Sequence, residues 1–191
     1  MRVLGVDPGS RASGWAVVDF SPSPSLSSSG VLRPAAGLSF PERLLALHDG
    51  LLAVIDRERP DGAAIERVFQ GVNPQSLIAL GEARGVLLLA LARRGLPIGE
   101  LAPADVKRSI TGSGAADKEQ VRRMVASLLP AAGRRKLPLD AADAAAVALA
   151  WGYRIAVRSA RFTAAPTAGP PREVVASPGA VAPAWRRRPS G

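Results

Sequence analysis

Four carboxylates sit where chemistry is possible. Asp7 ends the apolar run Val3, Leu4, Val6 and is followed at once by Pro8-Gly9; Glu66 ends a second short apolar run, DGAAIE. Asp140 and Asp143 stand three apart in LDAADAAAVALAW, a spacing that puts both on one face of a helix. Four gathered anions repel one another and stay ionised only beside compensating cations. The chain has no cysteine and a single histidine, His48, so disulfides, thiol catalysis and zinc–thiolate sites are excluded, as is a multi-histidine site within one chain. A metal held here is held by oxygen, which suits Mg²⁺ or Mn²⁺, and a pair of such ions ~3.5 to 4 Å apart is a recurring device for phosphodiester hydrolysis.

Each acid also has a plainer reading. Asp7 before Pro-Gly can be a turn former, Glu66 with Arg67 a surface ion pair, and Asp140 after Pro138 a first-turn acid favoured by the helix dipole. Asp143 is harder to explain that way, because a lone carboxylate inside an alanine-rich apolar helix is costly. Taken together, the four point to a metal site.

The elements that must position them follow from periodicity. Residues 2–7, 14–20 and 30–34 read as three successive strands, the last two joined by SPSPSLSSSG, which composition makes a mobile loop tip. Leu44, Leu47, Leu51, Val54 and Ile55 recur at helical spacing over 42–58, stopped by Pro60. Residues 61–66 give a fourth strand, and Asn73-Pro74 caps a helix running to about 94. A fifth strand at 97–101 precedes helices over 103–110, 117–129 and 139–159. The order predicts an α/β fold: a five-stranded mixed sheet flanked by helices, with functional groups just outside strand ends. Strands one and four, if parallel neighbours, bring Asp7 and Glu66 out side by side.

At 191 residues and 47% hydrophobic content the chain can bury a core, and its formal charge of +9 favours a polyanion as partner, nucleic acid ahead of an anionic membrane. No run reaches the ~18 uncharged apolar residues of a membrane span, and the N-terminus enters a strand directly, so a cytoplasmic protein is expected. Eleven basic residues lie between Arg84 and Lys136 against four acidic ones; phosphate contact is one reading and an ordinary solvated helix face the other. Beyond residue 163 proline, alanine and glycine dominate and Arg186–Arg188 sit near the end, so 164–191 is expected to be a disordered basic tail on a domain spanning 1–163.

In order along residues 1–155, GVDPGSRASGWAVVD, AIERVF, LGEARG, VKRSITGSGAADKEQV and DAADAAAVALAW resemble the RuvC family of Holliday-junction resolvases. That resemblance implies a ribonuclease H-like fold and a structure-selective endonuclease of recombination and repair, leaving 5′-phosphate and 3′-hydroxyl ends. It makes Asp7, Glu66, Asp140 and Asp143 the residues that bind two Mg²⁺ or Mn²⁺ ions, and sets Lys107 and Lys118 at the DNA near the reaction, with Lys118 aiding catalysis. Arg84, in the motif LGEARG, is a further candidate for DNA contact. Phe69, on the loop VFQGVNP, is expected to wedge into unstacked DNA, its alternative being a ring folded on the core. Two nicks per four-way junction from one acidic set per chain imply a symmetric homodimer, with the apolar helix around Ile78, Leu80, Val86, Leu87, Leu88 and Leu91 as interface or simply as core. A branch-migration complex of the RuvA and RuvB type is implied as partner. The rivals are a ribonuclease H-like enzyme acting on RNA or other branched nucleic acid, an actin-like or sugar-kinase ATP-binding fold suggested by GVDPGS, and a junction-binding scaffold without catalysis.

Overall fold

The computed structural model describes residues 1–68, 73–130, 132 and 137–163, the last six by their backbone. Phe69 and residues 164–191 lie outside the described residues, so the expectations for that ring and for the tail find no structural counterpart.

The described elements run β1 (Arg2–Asp7), β2 (Ser13–Phe20), β3 (Pro24–Leu32), α1 (Phe40–Glu58), β4 (Gly62–Glu66), α2 (Pro74–Arg93), β5 (Ile98–Leu101), α3 (Pro103–Thr111), α4 (Lys118–Leu128) and α5 (Leu139–Thr163). The five strands form one sheet in the order β3-β2-β1-β4-β5. β1 is antiparallel to β2 and β2 to β3, while β1, β4 and β5 run parallel, the mixed α/β architecture expected. β1 sits at the centre with both faces covered, which is why Val3, Leu4 and Val6 are fully buried without polar alternation.

One expectation is corrected. The serine-rich run placed in a loop tip is most of β3: Ser25, Leu26, Ser28 and Ser29 pair with β2, with a register shift between Val17 and Val18. Serine has little intrinsic strand preference, but an edge strand needs only one partner ladder and one anchored side chain, and Leu26 is buried.

Helices cover both faces of the sheet. α1 and α2 place Leu47, Leu51, Val54, Leu87 and Leu91 against Leu4, Val6, Val17 and Ile65. α3, α4 and α5 place Val106, Val121, Val125, Ala144 and Ala148 against Val3, Ala16, Ala64 and Leu101. α2 is the one described helix long and apolar enough to cross a membrane, yet Ala83, Leu87, Ala90 and Leu91 of it are buried in the core. Its start is as read: Pro74 opens the helix and the Asn73 side chain accepts a hydrogen bond from the Gln75 backbone at 2.9 Å.

Candidate active site

Asp7 and Glu66 are neighbours by register. Val6 pairs with Ile65 across the parallel β1–β4 ladder, so the next rung sets Asp7 beside Glu66 at the carboxyl ends of both strands. Alternation places both side chains on the face that carries α5, the face of Val3 and Ala64. The turn that follows Asp7 is locked by Ser13, which is fully buried; its hydroxyl accepts from the Gly9 N–H at 3.1 Å and donates to the Gly9 carbonyl at 2.9 Å. Ser13 escaped the sequence reading, its signal being only a small polar residue at the head of an apolar strand.

Asp143 arrives from α5 because the sheet lets that helix come close. A side chain at Gly5 would collide with the Ala144 carbonyl and the Ala148 backbone, and one at Gly14 with the Asp140 carbonyl. With no Cβ at either position and alanines facing them, the helix backbone lies directly on β1 and β2. Asp143, one residue before Ala144, is thereby carried to the end of β1.

The three acids Asp7, Glu66 and Asp143 line one cleft of about 500 Å³ together with Lys107 of α3 and Lys118 of α4; Pro8, Val68, Leu80, Pro103, Val106, Val121 and Ala146 form its apolar walls. Lys118 opens α4, where the Asp117 side chain accepts from the Gln120 N–H at 2.7 Å and the Gln120 side chain accepts from the Asp117 N–H at 2.9 Å. Its Nζ stands 3.8 Å from Asp143 Oδ2, and the side chain is 76% exposed. Asp140 does not line the cleft; its Oδ2 lies 3.9 Å from Nη2 of Arg33.

Arg84, expected at the DNA, has a different setting. Its Nε donates to the Glu66 carbonyl at 2.9 Å and its Nη2 to Glu100, and only 16% of the side chain is exposed. The guanidinium pins the end of β4 and so holds Glu66 in place.

The electrostatics are those of anions forced together. Burial pushes the Asp7 carboxyl up to about 8, reinforced by Glu66, Asp143 and Asp140 and opposed by Lys118. Burial also raises Glu66, with Asp143 adding, while Lys118, a hydrogen bond with Asp7 and Lys107 hold it down. Asp143 is raised by burial as well, against Lys118 and Arg122. Among the described residues no three acidic or imidazole groups converge on one point as the side chains lie. Two of the four acids face cations of the chain instead, as unneutralised carboxylates should. The donor set nonetheless fits a divalent cation: it is all oxygen, it carries excess negative charge, and a dication held by Asp7, Glu66 and Asp143 would offset the burial and repulsion that raise them.

Comparison with known proteins gives one answer. The family model described as crossover junction endodeoxyribonuclease RuvC matches residues 3–151. The crossover junction endodeoxyribonuclease RuvC of Paramagnetospirillum magneticum is 49% identical over 78% of this chain and 89% of its own length. That of Chloroflexus aurantiacus is 46% identical over 80% and 93%. Among solved structures, T. thermophilus RuvC in complex with Holliday junction substrate superposes with a TM-score of 0.74 at 30% identity, covering 83% of this chain and 97% of that one. The sheet order and flanking helices are accordingly those of the ribonuclease H-like fold, and with a match across nearly all its described length the chain belongs to the RuvC family of crossover junction endodeoxyribonucleases.

Proposed function

We propose that this endonuclease resolves Holliday junctions by hydrolysis assisted by two Mg²⁺ or Mn²⁺ ions held by Asp7, Glu66 and Asp143, with Asp140 joining them. The observation that carries this reading is the single cleft in which three carboxylates from β1, β4 and α5 face two lysines from α3 and α4. Divalent ions held there would supply a lowered pKa for an attacking water and stabilisation for the leaving oxygen. The chain's own part is to hold and orient. Asp7 and Glu66 sit on paired strand ends, the least mobile backbone available, and Arg84 fixes the Glu66 carbonyl. Lys107 and Lys118 bind the backbone phosphate beside the acids, and Lys118 favours charge that develops at the phosphorus. Water attacks phosphorus, the bond from phosphorus to the 3′ oxygen breaks, and the ends are a 5′-phosphate and a 3′-hydroxyl. Phe69 follows Glu66 by three residues, close enough in chain to wedge into the junction beside the cleft.

One acidic cleft per chain makes one nick, so a homodimer supplies two. The free face of α2 supports that assembly: Ile78 is 61% and Leu89 54% exposed, whereas Leu87 and Leu91, also considered for the interface, belong to the core. A branch-migration complex of the RuvA and RuvB type delivers the junction in the cytoplasm. The nuclease unit spans 1–163, and 164–191, with Arg186, Arg187 and Arg188, adds positive charge beyond it.

The deciding experiment offers the protein a synthetic four-way junction, a plain duplex and an RNA–DNA hybrid, each with Mg²⁺, with Mn²⁺ and with chelator. Paired nicks in the junction alone, only with metal, are expected. Equal cutting of all three substrates, or cutting in chelator, overturns the proposal.

A further inference from the structure

Asp140 is the acid that stands apart. It does not line the cleft, and among the described residues its nearest opposite charge is Arg33, with Nη2 at 3.9 Å from Oδ2. The pairing follows from topology. β3 pairs with β2 so that Leu32 stands opposite Ser13, and Asp140 packs its carbonyl against Gly14, the residue opposite Asp7. The exit of the edge strand therefore meets the first turn of α5 at the margin of the active cleft. Arg33 is the first residue past β3, and its side chain is 68% exposed. A guanidinium keeps its charge at all relevant pH and grips oxyanions best through two parallel donors; here, among the described residues, it has a single long ion-pair contact and most of its surface in water.

We propose that Arg33 is a positioning residue that couples nucleic acid to metal: in the free enzyme it holds Asp140 off the cleft, and a backbone phosphate that takes the guanidinium releases Asp140 to the metal. This rests on the metal-site reading above. An exposed pair at this distance is weak, so it is readily exchanged, and a phosphate offers the two-point contact that Asp140 lacks. Lys118 faces Asp143 in the same manner, also from an exposed position, so both acids of α5 are paired before DNA arrives. Because coupling is reciprocal, a junction that tightens metal binding is itself bound more tightly when metal is present.

The test measures Mn²⁺ binding by calorimetry and by the EPR signal of the free ion, on the full chain, alone and with a four-way junction carrying non-hydrolysable linkages at the crossover. Wild-type protein is expected to bind Mn²⁺ about two- to fivefold more tightly with the junction, the scale of an exposed ion pair. In Arg33→Ala the free protein gains a similar factor and the junction adds little more. In an Asp140→Asn background Arg33→Ala changes nothing, which separates action through Asp140 from general loss of positive charge; Arg11→Ala, a charge deletion in the β1–β2 turn, serves as the second control. Unchanged Mn²⁺ affinity with the junction increment intact in Arg33→Ala overturns the proposal, and so does an equal effect in both backgrounds. Failure of the underlying reading looks different: Asp7→Asn would then bind Mn²⁺ as wild type does.

Discussion

The two faces of the sheet solve different problems with different residues. Towards α1 and α2 the contacts are made by large side chains, Leu47, Leu51, Val54, Ile55, Leu87 and Leu91 against Leu4, Val6 and Ile65, and the helices ride at the height those side chains set. Towards the start of α5 the contacts are alanine on glycine, with Ala141, Ala144 and Ala148 buried above Gly5 and Gly14. The first face needs volume, and many combinations of apolar residues supply it. The second needs approach: a short side chain such as Asp143 reaches the end of β1 only if the helix carrying it lies on the sheet. Packing there is a positioning device.

That contrast can be broken in graded ways. The largest effect is expected from Asp7→Asn, which should keep junction binding in a gel-shift assay while cleavage falls to the uncatalysed background. Next comes Gly14→Ala, whose added methyl must lift the first turn of α5. Urea unfolding should show a loss of about 1 to 3 kcal/mol, and single-turnover cleavage by the remaining folded enzyme should drop sharply. The matching change on the other face, Leu87→Ala, should cost about 2 to 5 kcal/mol and leave cleavage by folded molecules near wild type. Equal slowing by both would mean that the faces do not differ in the way described.

Acidity sharpens the same comparison, since the acids raised by the fold, Asp7, Glu66 and Asp143, all lie on the α5 side. Asp7 ordinarily titrates near 3.8 and is pushed up to about 8 in the fold. Between those values the folded state binds more protons than the unfolded one, so this group makes the metal-free protein less stable as pH rises from about 4 to about 8. Thermal unfolding in chelator should show the decline, Asp7→Asn should flatten it, and added Mn²⁺ should raise the midpoint more at pH 8 than at pH 5. Removal of Lys118 deepens the repulsion on Asp143 and leaves the opposite face untouched. Lys118→Ala is expected to lower single-turnover cleavage about tenfold, the scale of one hydrogen bond to a charged group, with a smaller change in junction affinity.

Much of this was legible in the chain. Helix and strand positions came within a few residues of those observed because apolar period and proline or glycine punctuation are local properties. The exception, β3, fails for a related reason: serines 25 and 27–29 carry no strand signal of their own and are ordered by pairing with β2. Asp7 and Glu66 could be placed side by side on the condition that strands one and four are parallel neighbours, a condition the sheet meets. Arg84 shows the limit. A basic residue on a helix looks the same in sequence whether it faces DNA or, as here, turns in to hold the Glu66 carbonyl and Glu100.

By itself the sequence determined the chemistry open to the protein: without cysteine, and with a single histidine, it has no thiolate or multi-histidine site and leaves a metal to oxygen, and the excess of lysine and arginine favours a polyanion. Tertiary structure alone decided which cation meets which anion. Arg33 finds Asp140 across 107 positions and Lys118 finds Asp143 across 25 because of how β3 pairs and how closely α5 lies on the sheet. Those partnerships depend on ångströms between distant segments, a quantity that no local pattern of residues encodes.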